Sequence, residues 1–225
     1  MTITPDSVRE LLQSQDYGDR IKAVNQLRQI EAAAAFDLAQ LAAHDSNARV
    51  RYAAISQLAS LGRQDLATVE PLLRRALTND PEADVQAAAA DAIAGLGLRA
   101  AYPDLEAVYR GSSEWLVQFS IVAALGELGA PEAFTLLQDA LQSDNELVVT
   151  AAIGALGELG DGRAIPNLLN YTQHPDWQIR HRLAQALSRF SEPEAKAALE
   201  VLSQDSSPIV VEAAEHYLQQ SKGQA

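Results

Sequence analysis

Apolar residues return along this chain with two periods, a short one inside segments and a long one between them. Counted from Val50, Val85, Val117, Val148, Ile179 and Val210, and more loosely from Asp19, the pattern repeats after 31, 35, 32, 31, 31 and 31 residues. Eight positions on stands Leu27, Leu58, Ile93, Leu125, Leu156, Leu187 or Leu218, and three further on Ile30, Leu61, Leu96, Leu128, Leu159 or Phe190. Apolar residues at +0, +4, +5, +8 and +11 form one stripe of an α-helix, which predicts a helix of roughly 14 residues in each repeat. Gly62, Gly97, Gly129 or Gly160 comes next, in the place where a glycine ends a helix in the left-handed conformation. Five residues before the reference position stands Ser14, Asp45, Asp80, Ser112, Ser143, His174 or Asp205; serine and aspartate there are expected to cap the helix.

A second apolar segment lies between these helices, as in Thr68–Leu77, Ala133–Leu141 and Ala164–Thr172, with Pro71, Pro103 and Pro166 near its start. Proline suits a first helical turn, where its missing N–H would be unpaired anyway. Each repeat thus reads as two antiparallel helices, and stacked pairs bury what a lone pair cannot. The prediction is an all-α chain: a right-handed α-solenoid of seven short hairpins forming one domain over residues 1–225, with capping repeats at about 1–30 and 192–221. The 35-residue step implies a few extra residues near Arg63–Thr68. The phrase ALGELG, at Ala124–Gly129 and Ala155–Gly160, is the end of the packing helix. Gly126 and Gly157 inside it each cost about 1 kcal/mol against alanine, which points to close helix approach or to a ligand against bare backbone.

Composition supports helices and narrows the partners. Alanine and leucine dominate, aromatics are 5%, and the formal net charge is −13. Such a chain lacks the basic footprint that nucleic acid or an anionic membrane surface needs. With no cysteine, disulfides and thiolate chemistry are excluded. The N-terminal stretch has no signal-peptide pattern, and no apolar run nears the ~20 residues of a membrane span; a cytoplasmic protein is expected.

Residues Asp45–Arg51 (DSNARVR) and Ala155–Leu169 (ALGELGDGRAIPNLL) resemble the HEAT repeat. They are similar to its short variety, the phycobilisome-lyase class, over nearly the whole chain. The resemblance implies one of several roles. Cyanobacterial arrays of this kind include bilin-lyase subunits, which attach or detach open-chain tetrapyrroles such as phycocyanobilin. Others serve phycobilisome degradation, or act as general adaptors, one kind in iron–sulfur assembly. The motif is structural, so no catalytic residue transfers.

Other chemistry finds little support. Gly95–Ala100 matches G-x-G-x-x-A but follows a helix rather than a strand, so a dinucleotide loop is not expected. One branch of HEAT-repeat enzymes holds paired iron through His-Glu dipeptides; here His44, His174, His181 and His216 precede Asp, Pro, Arg and Tyr. No metal or resident cofactor is expected.

In such a solenoid the second helices line a concave groove, and a protein partner is expected there: phycobiliproteins or a second HEAT-repeat subunit. Positions +2 and +6 include Tyr52, Phe119, His181 and Asp91, while Tyr17, Trp115 and Trp177 share position −2. The tryptophans pack over the turn or form an aromatic contact ridge. From Gly111 to Gly162 there is no lysine or arginine, either a solvated face or a docking surface for a basic segment. A transient tetrapyrrole would draw on Trp177, Phe119 or Tyr52, Asp91, and Arg180 with Arg182.

Overall fold

A computed structural model describes residues 2–222 and contains fourteen α-helices in seven successive pairs. The pairs are α1 (Pro5–Leu12) with α2 (Tyr17–Gln26), α3 (Ala32–Ala42) with α4 (Ala48–Leu61), and α5 (Leu66–Asn79) with α6 (Ala83–Gly95). Next come α7 (Tyr102–Gly111) with α8 (Trp115–Leu128), and α9 (Phe134–Ala140) with α10 (Glu146–Leu159). The last are α11 (Ile165–Leu169) with α12 (Trp177–Leu187), and α13 (Pro193–Leu202) with α14 (Pro208–Lys222). There is no strand among the described residues. Contacts divide the chain into two compact units, Met1–Ala124 and Leu125–Ala225, with the division inside α8.

The predicted stripe is the core of both units. In the first, Leu27, Val50, Leu58, Val85, Ile93 and Val117 are buried; in the second, Leu125, Val148, Leu156, Ile179, Leu187 and Val210 are. Each buried leucine or valine contributes about 1.5–3 kcal/mol over exposure. The stripe weakens at its ends: Ile30, Leu61, Leu159, Phe190 and Leu218 are only half-buried. No buried side-chain nitrogen or oxygen among the described residues lacks a partner.

Several local expectations are corrected. The residue at −5 does not cap the helix. It accepts the backbone N–H two residues on, as Asp45 does from Asn47 (2.8 Å) and Asp205 from Ser207 (2.8 Å). The caps of α2, α4, α10 and α12 are Asp16, Asn47, Asn145 and Asp176, two residues later. So a short side-chain turn delivers the true cap. Gly97, Gly129 and Gly160 have positive φ, as helix stops require, but Gly62 is right-handed (φ −61°). A Cβ on Gly62 would lie 2.8 Å from the Leu96 side chain and 3.0 Å from Val69; space, not conformation, selects glycine there.

Pro103 and Pro166 stand in first turns, whereas Pro71 lies inside α5. The long repeat step explains the difference. The extra residues form an additional helical turn before Pro71, opened by Asp65, whose carboxylate accepts both the backbone N–H (3.2 Å) and the hydroxyl (2.7 Å) of Thr68. The predicted first helices at Ala133–Leu141 and Ala164–Thr172 are shorter, with α-helix only over Phe134–Ala140 and Ile165–Leu169. After α11 the N–H groups of Asn170, Tyr171 and Thr172 reach back three residues, the tighter geometry that residues of low helix propensity accept.

Gly126 and Gly157 mark close helix approach. A Cβ on Gly126 would stand 2.7 Å from the Ala155 Cα, and one on Gly157 2.7 Å from the Ala186 Cα. Elsewhere arginine joins successive repeats. Arg20 donates through Nε (2.7 Å) and Nη2 (3.0 Å) to Asp45, and Arg51 likewise (2.7 and 2.9 Å) to Asp80. In the second unit Arg180 does the same (2.6 and 2.8 Å) to Asp205.

Candidate functional site

Of the nine exposed large apolar side chains among the described residues, five stand at the starts of second helices. The caps Asp16 and Asp176 spend their carboxylates on the N–H groups of Gly18 and Gln178. The first helical residue, which has no preceding turn to cover it, is left outside. In the first unit this exposes Tyr17 (45%) and Trp115 (46%); in the second it exposes Trp177 (40%), with Leu147 (52%) and Ile209 (50%) one position later in their repeats. So Trp115 and Trp177 are open to solvent rather than folded over the turn. Leu147 and Ile209 are missing from the sequence-based site. Their signal was an apolar residue at −1 beside aromatics at −2, a neighbouring register that the aromatic pattern hid.

The +2 and +6 row is mixed. In the first unit Tyr52 and Asp91 are exposed, Phe119 is half-buried, and Ala87 is buried. Asp91 already holds an interaction within the chain. In the second unit His181 and Arg182 are half-buried. The Arg182 guanidinium lies in the space that a Cβ on Gly154 would fill, and its Nη1 donates to Gln185 Oε1 (2.7 Å). Glu158 Oε1 stands 4.0 Å from its Nη2.

Arg180 is not a surface donor. It is 8% exposed and its guanidinium donates four hydrogen bonds within the chain: two to Asp205, and two from Nη1 to the carbonyls of His174 (2.5 Å) and Pro175 (3.0 Å). The hydrogen bonds to Asp205 raise its pKa further, and Arg180 in turn holds the Asp205 carboxyl below the usual carboxylate range. Arg180 therefore joins repeats instead of receiving a propionate, a correction to the sequence-based set. The signal that would have revealed this is an arginine at +1 whenever the next repeat carries aspartate at −5: Arg20 with Asp45, Arg51 with Asp80, Arg180 with Asp205.

The sequence-based residues also divide between units: Tyr52, Asp91, Trp115 and Phe119 in the first, Trp177, Arg180, His181 and Arg182 in the second. The cavity beside Arg182, lined also by Gly154, Glu158 and Arg189, has a volume of about 10 Å³, room for one water rather than a tetrapyrrole. Among the described residues no group of three or more histidine, aspartate or glutamate side chains could hold a metal ion. No helix among them is long and apolar enough to cross a membrane.

With this geometry in view, the HEAT-repeat model matches residues 69–156 and 148–219, two thirds of the chain. The chain belongs to the HEAT-repeat family. Among HEAT-repeat structures it is similar to the complex of CpcE and CpcF of phycocyanin lyase from Nostoc sp. PCC7120, with a TM-score of 0.64 at 22% identity, covering 98% of this chain and 96% of that one. It is also similar to YibA of Escherichia coli, with a TM-score of 0.69 at 19% identity over 96% and 81% of the two chains. Likeness at these identities concerns the fold. In sequence it is similar to human deoxyhypusine hydroxylase, 34% identical over 100 residues, 44% of this chain and 32% of the hydroxylase. The chain thus spans about a third of that protein's length. It is 28% identical over 157 residues to phycocyanin operon protein Z of Pseudanabaena tenuis (strain PCC 7409), 62% of this chain and 72% of that one.

Proposed function

We propose that this HEAT-repeat chain is a non-catalytic protein-binding adaptor of the cytoplasm, serving phycobilisome turnover or phycobiliprotein handling. The observation that carries the binding role is the row of exposed apolar side chains at the helix starts, Leu147, Trp177 and Ile209 in consecutive repeats of the second unit. Successive helices of a stack are roughly 10 Å apart, so the row offers one apolar anchor per repeat to a protein partner, a phycobiliprotein or a second HEAT-repeat subunit. Similarity to phycocyanin operon protein Z over 72% of its length supports the phycobilisome setting.

The test is capture from a cyanobacterial lysate at low and high salt. Retention of phycobiliproteins by the full chain, and its loss in a Leu147→Ser/Trp177→Ser variant that melts as the parent does, is the expected result. Retention unchanged by these substitutions, or none at all, would remove the reading.

A second reading follows from the same similarity: one subunit of a bilin lyase or isomerase, with a transient open-chain tetrapyrrole. Arg182 stays available to it as a half-buried cation beside His181; Arg180 does not. Bilin transfer to an apo-phycobiliprotein, with and without a second subunit, separates lyase from adaptor. An absorbance titration with a bilin that leaves both its spectrum and tryptophan emission unchanged would end the lyase reading.

A further inference from the structure

The first unit carries a groove that the adaptor reading does not use. It consists of two neighbouring cavities, one at the C-terminal ends of α1 and α3 and one at those of α3 and α5. One cavity, about 140 Å³, is lined by Arg9, Leu12, Gln13, Leu41, Ala42 and Asp45. The next, about 300 Å³, is lined by His44, Leu72, Arg75, Ala76 and Pro81, and also by Arg51, Asn79 and Asp80. The last turn of α3 separates them, giving Leu41 and Ala42 to one and Ala43 and His44, just after it, to the other.

The charges there are unevenly satisfied. Asp45 and Asp80 are neutralised by Arg20 and Arg51. The carbonyls at the end of α3 are also engaged: Leu41 by the His44 N–H, Ala42 by the Asp45 N–H, and those of Asp45 and Ser46 by Arg51. The side chains of Arg9, His44 and Arg75, by contrast, are exposed and make no hydrogen bond or ion pair among the described residues. Arg74, the neighbour of Arg75, is paired with both Glu70 and Asp104. Arg9 and Arg75 occupy the same place in their repeats, ten residues before Asp19 and Val85. Between them Leu41, 57% exposed, is the most open large apolar side chain described in the protein.

We infer that this groove binds an extended acidic segment of a partner protein, with carboxylates on Arg9 and Arg75 and an apolar residue on Leu41. Dimensions agree with the charge pattern. Two helix spacings of roughly 10 Å separate α1 from α5, a distance that about six extended residues cover at ~3.3 Å each. Arginine suits the ends, since its planar fork takes a carboxylate by two parallel hydrogen bonds. Leu72, Ala76 and Pro81 in the cavity wall provide apolar contact, and the carboxylate of Asp80 in the same wall is held by Arg51.

The groove is independent of the row at the helix starts, so its test stands apart from phycobiliprotein capture. The probe is a fluorescein-labelled octapeptide, a central leucine flanked by glutamates, titrated by anisotropy against the full chain; a lysine version is the control. Saturable binding is expected for the glutamate peptide alone. Arg9→Ala and Arg75→Ala should each weaken it about tenfold, the loss of one charge-assisted pair, and Leu41→Ser several-fold. Arg28→Ala removes an equal charge from an exposed position outside both cavities and should leave affinity unchanged. All four side chains are exposed, so thermal melting should stay the same and exclude unfolding as the cause. Absence of binding, or an equal loss with Arg28→Ala, would overturn the proposal.

Discussion

The joint between α4 and α6 and the joint between α10 and α12 use the same repeat positions with opposite chemistry. At the first, Arg51 reaches across to Asp80, and the ninth position after Val50 is Ala59. At the second, Val149 stands where the arginine would be and His174 where the aspartate would be. The ninth position there is Gly157, pressed against Ala186. The joint between α12 and α14 returns to the first type, with Arg180 on Asp205 and Ser188 at the ninth position. Charge and glycine are thus two different ways of registering one hairpin on the next. A bidentate ion pair fixes register by direction; a glycine–alanine contact fixes it by letting two backbones approach until packing is tight.

The comparison is broken most severely through what both joints share, the apolar stripe. Leu156→Asp should cost more than ~4 kcal/mol, because a buried carboxylate finds no partner there, and calorimetry should lose the transition of the second unit. Arg51→Ala should cost about 3 kcal/mol by stranding the half-buried Asp80. The double change with Asp80→Leu should recover part of that in a denaturant titration. Gly157→Ala should destabilise by about 2 kcal/mol through overpacking, despite the ~1 kcal/mol that alanine gains as a helix former. Ala59→Gly, at the matching place in the first unit, should lose only that ~1 kcal/mol. If Gly157→Ala stabilises instead, the close approach does not set that joint.

Acid sharpens the contrast further. Asp205 is held below the usual carboxylate range by Arg180. Its contribution is therefore complete above the ordinary aspartate pKa of about 4 and fades as pH falls through the lower folded value. The joint between α12 and α14 should loosen in acid and show faster amide exchange, while the α10–α12 joint, whose ion pair is the long, partly exposed contact of Arg182 with Glu158 (4.0 Å), should respond less. The smallest effect is expected at Trp177→Ser, within about 0.5 kcal/mol of the parent in melting.

Period and burial were legible in the sequence because they rest on position alone: Leu58, Ile93, Leu125 and Leu156 are all fully buried. The glycine contacts were legible as one of two readings, since a glycine inside a good helix calls for a packing cause. Arg180 was misread because a lone sequence does not tell a guanidinium turned inward from one facing solvent. Asp205 lies 25 residues away, and only the recurrence of the arginine–aspartate spacing links them. Pro71 was misplaced for a different reason: the extra turn that moved it inside α5 lies upstream of it, and the apolar pattern does not register that turn.

That extra turn limits how such a chain can lengthen. Val69, Leu73 and Leu77 face inward from α5, and four inserted residues rotate a helix by about 400°, returning its inner face to within about 40° of where it was. Two inserted residues would swing it by about 200° and send the same three side chains outward. Growth by whole coils is thus tolerated where half coils are not, and variation in length among such chains should come in steps of three or four residues at the entrance to a hairpin.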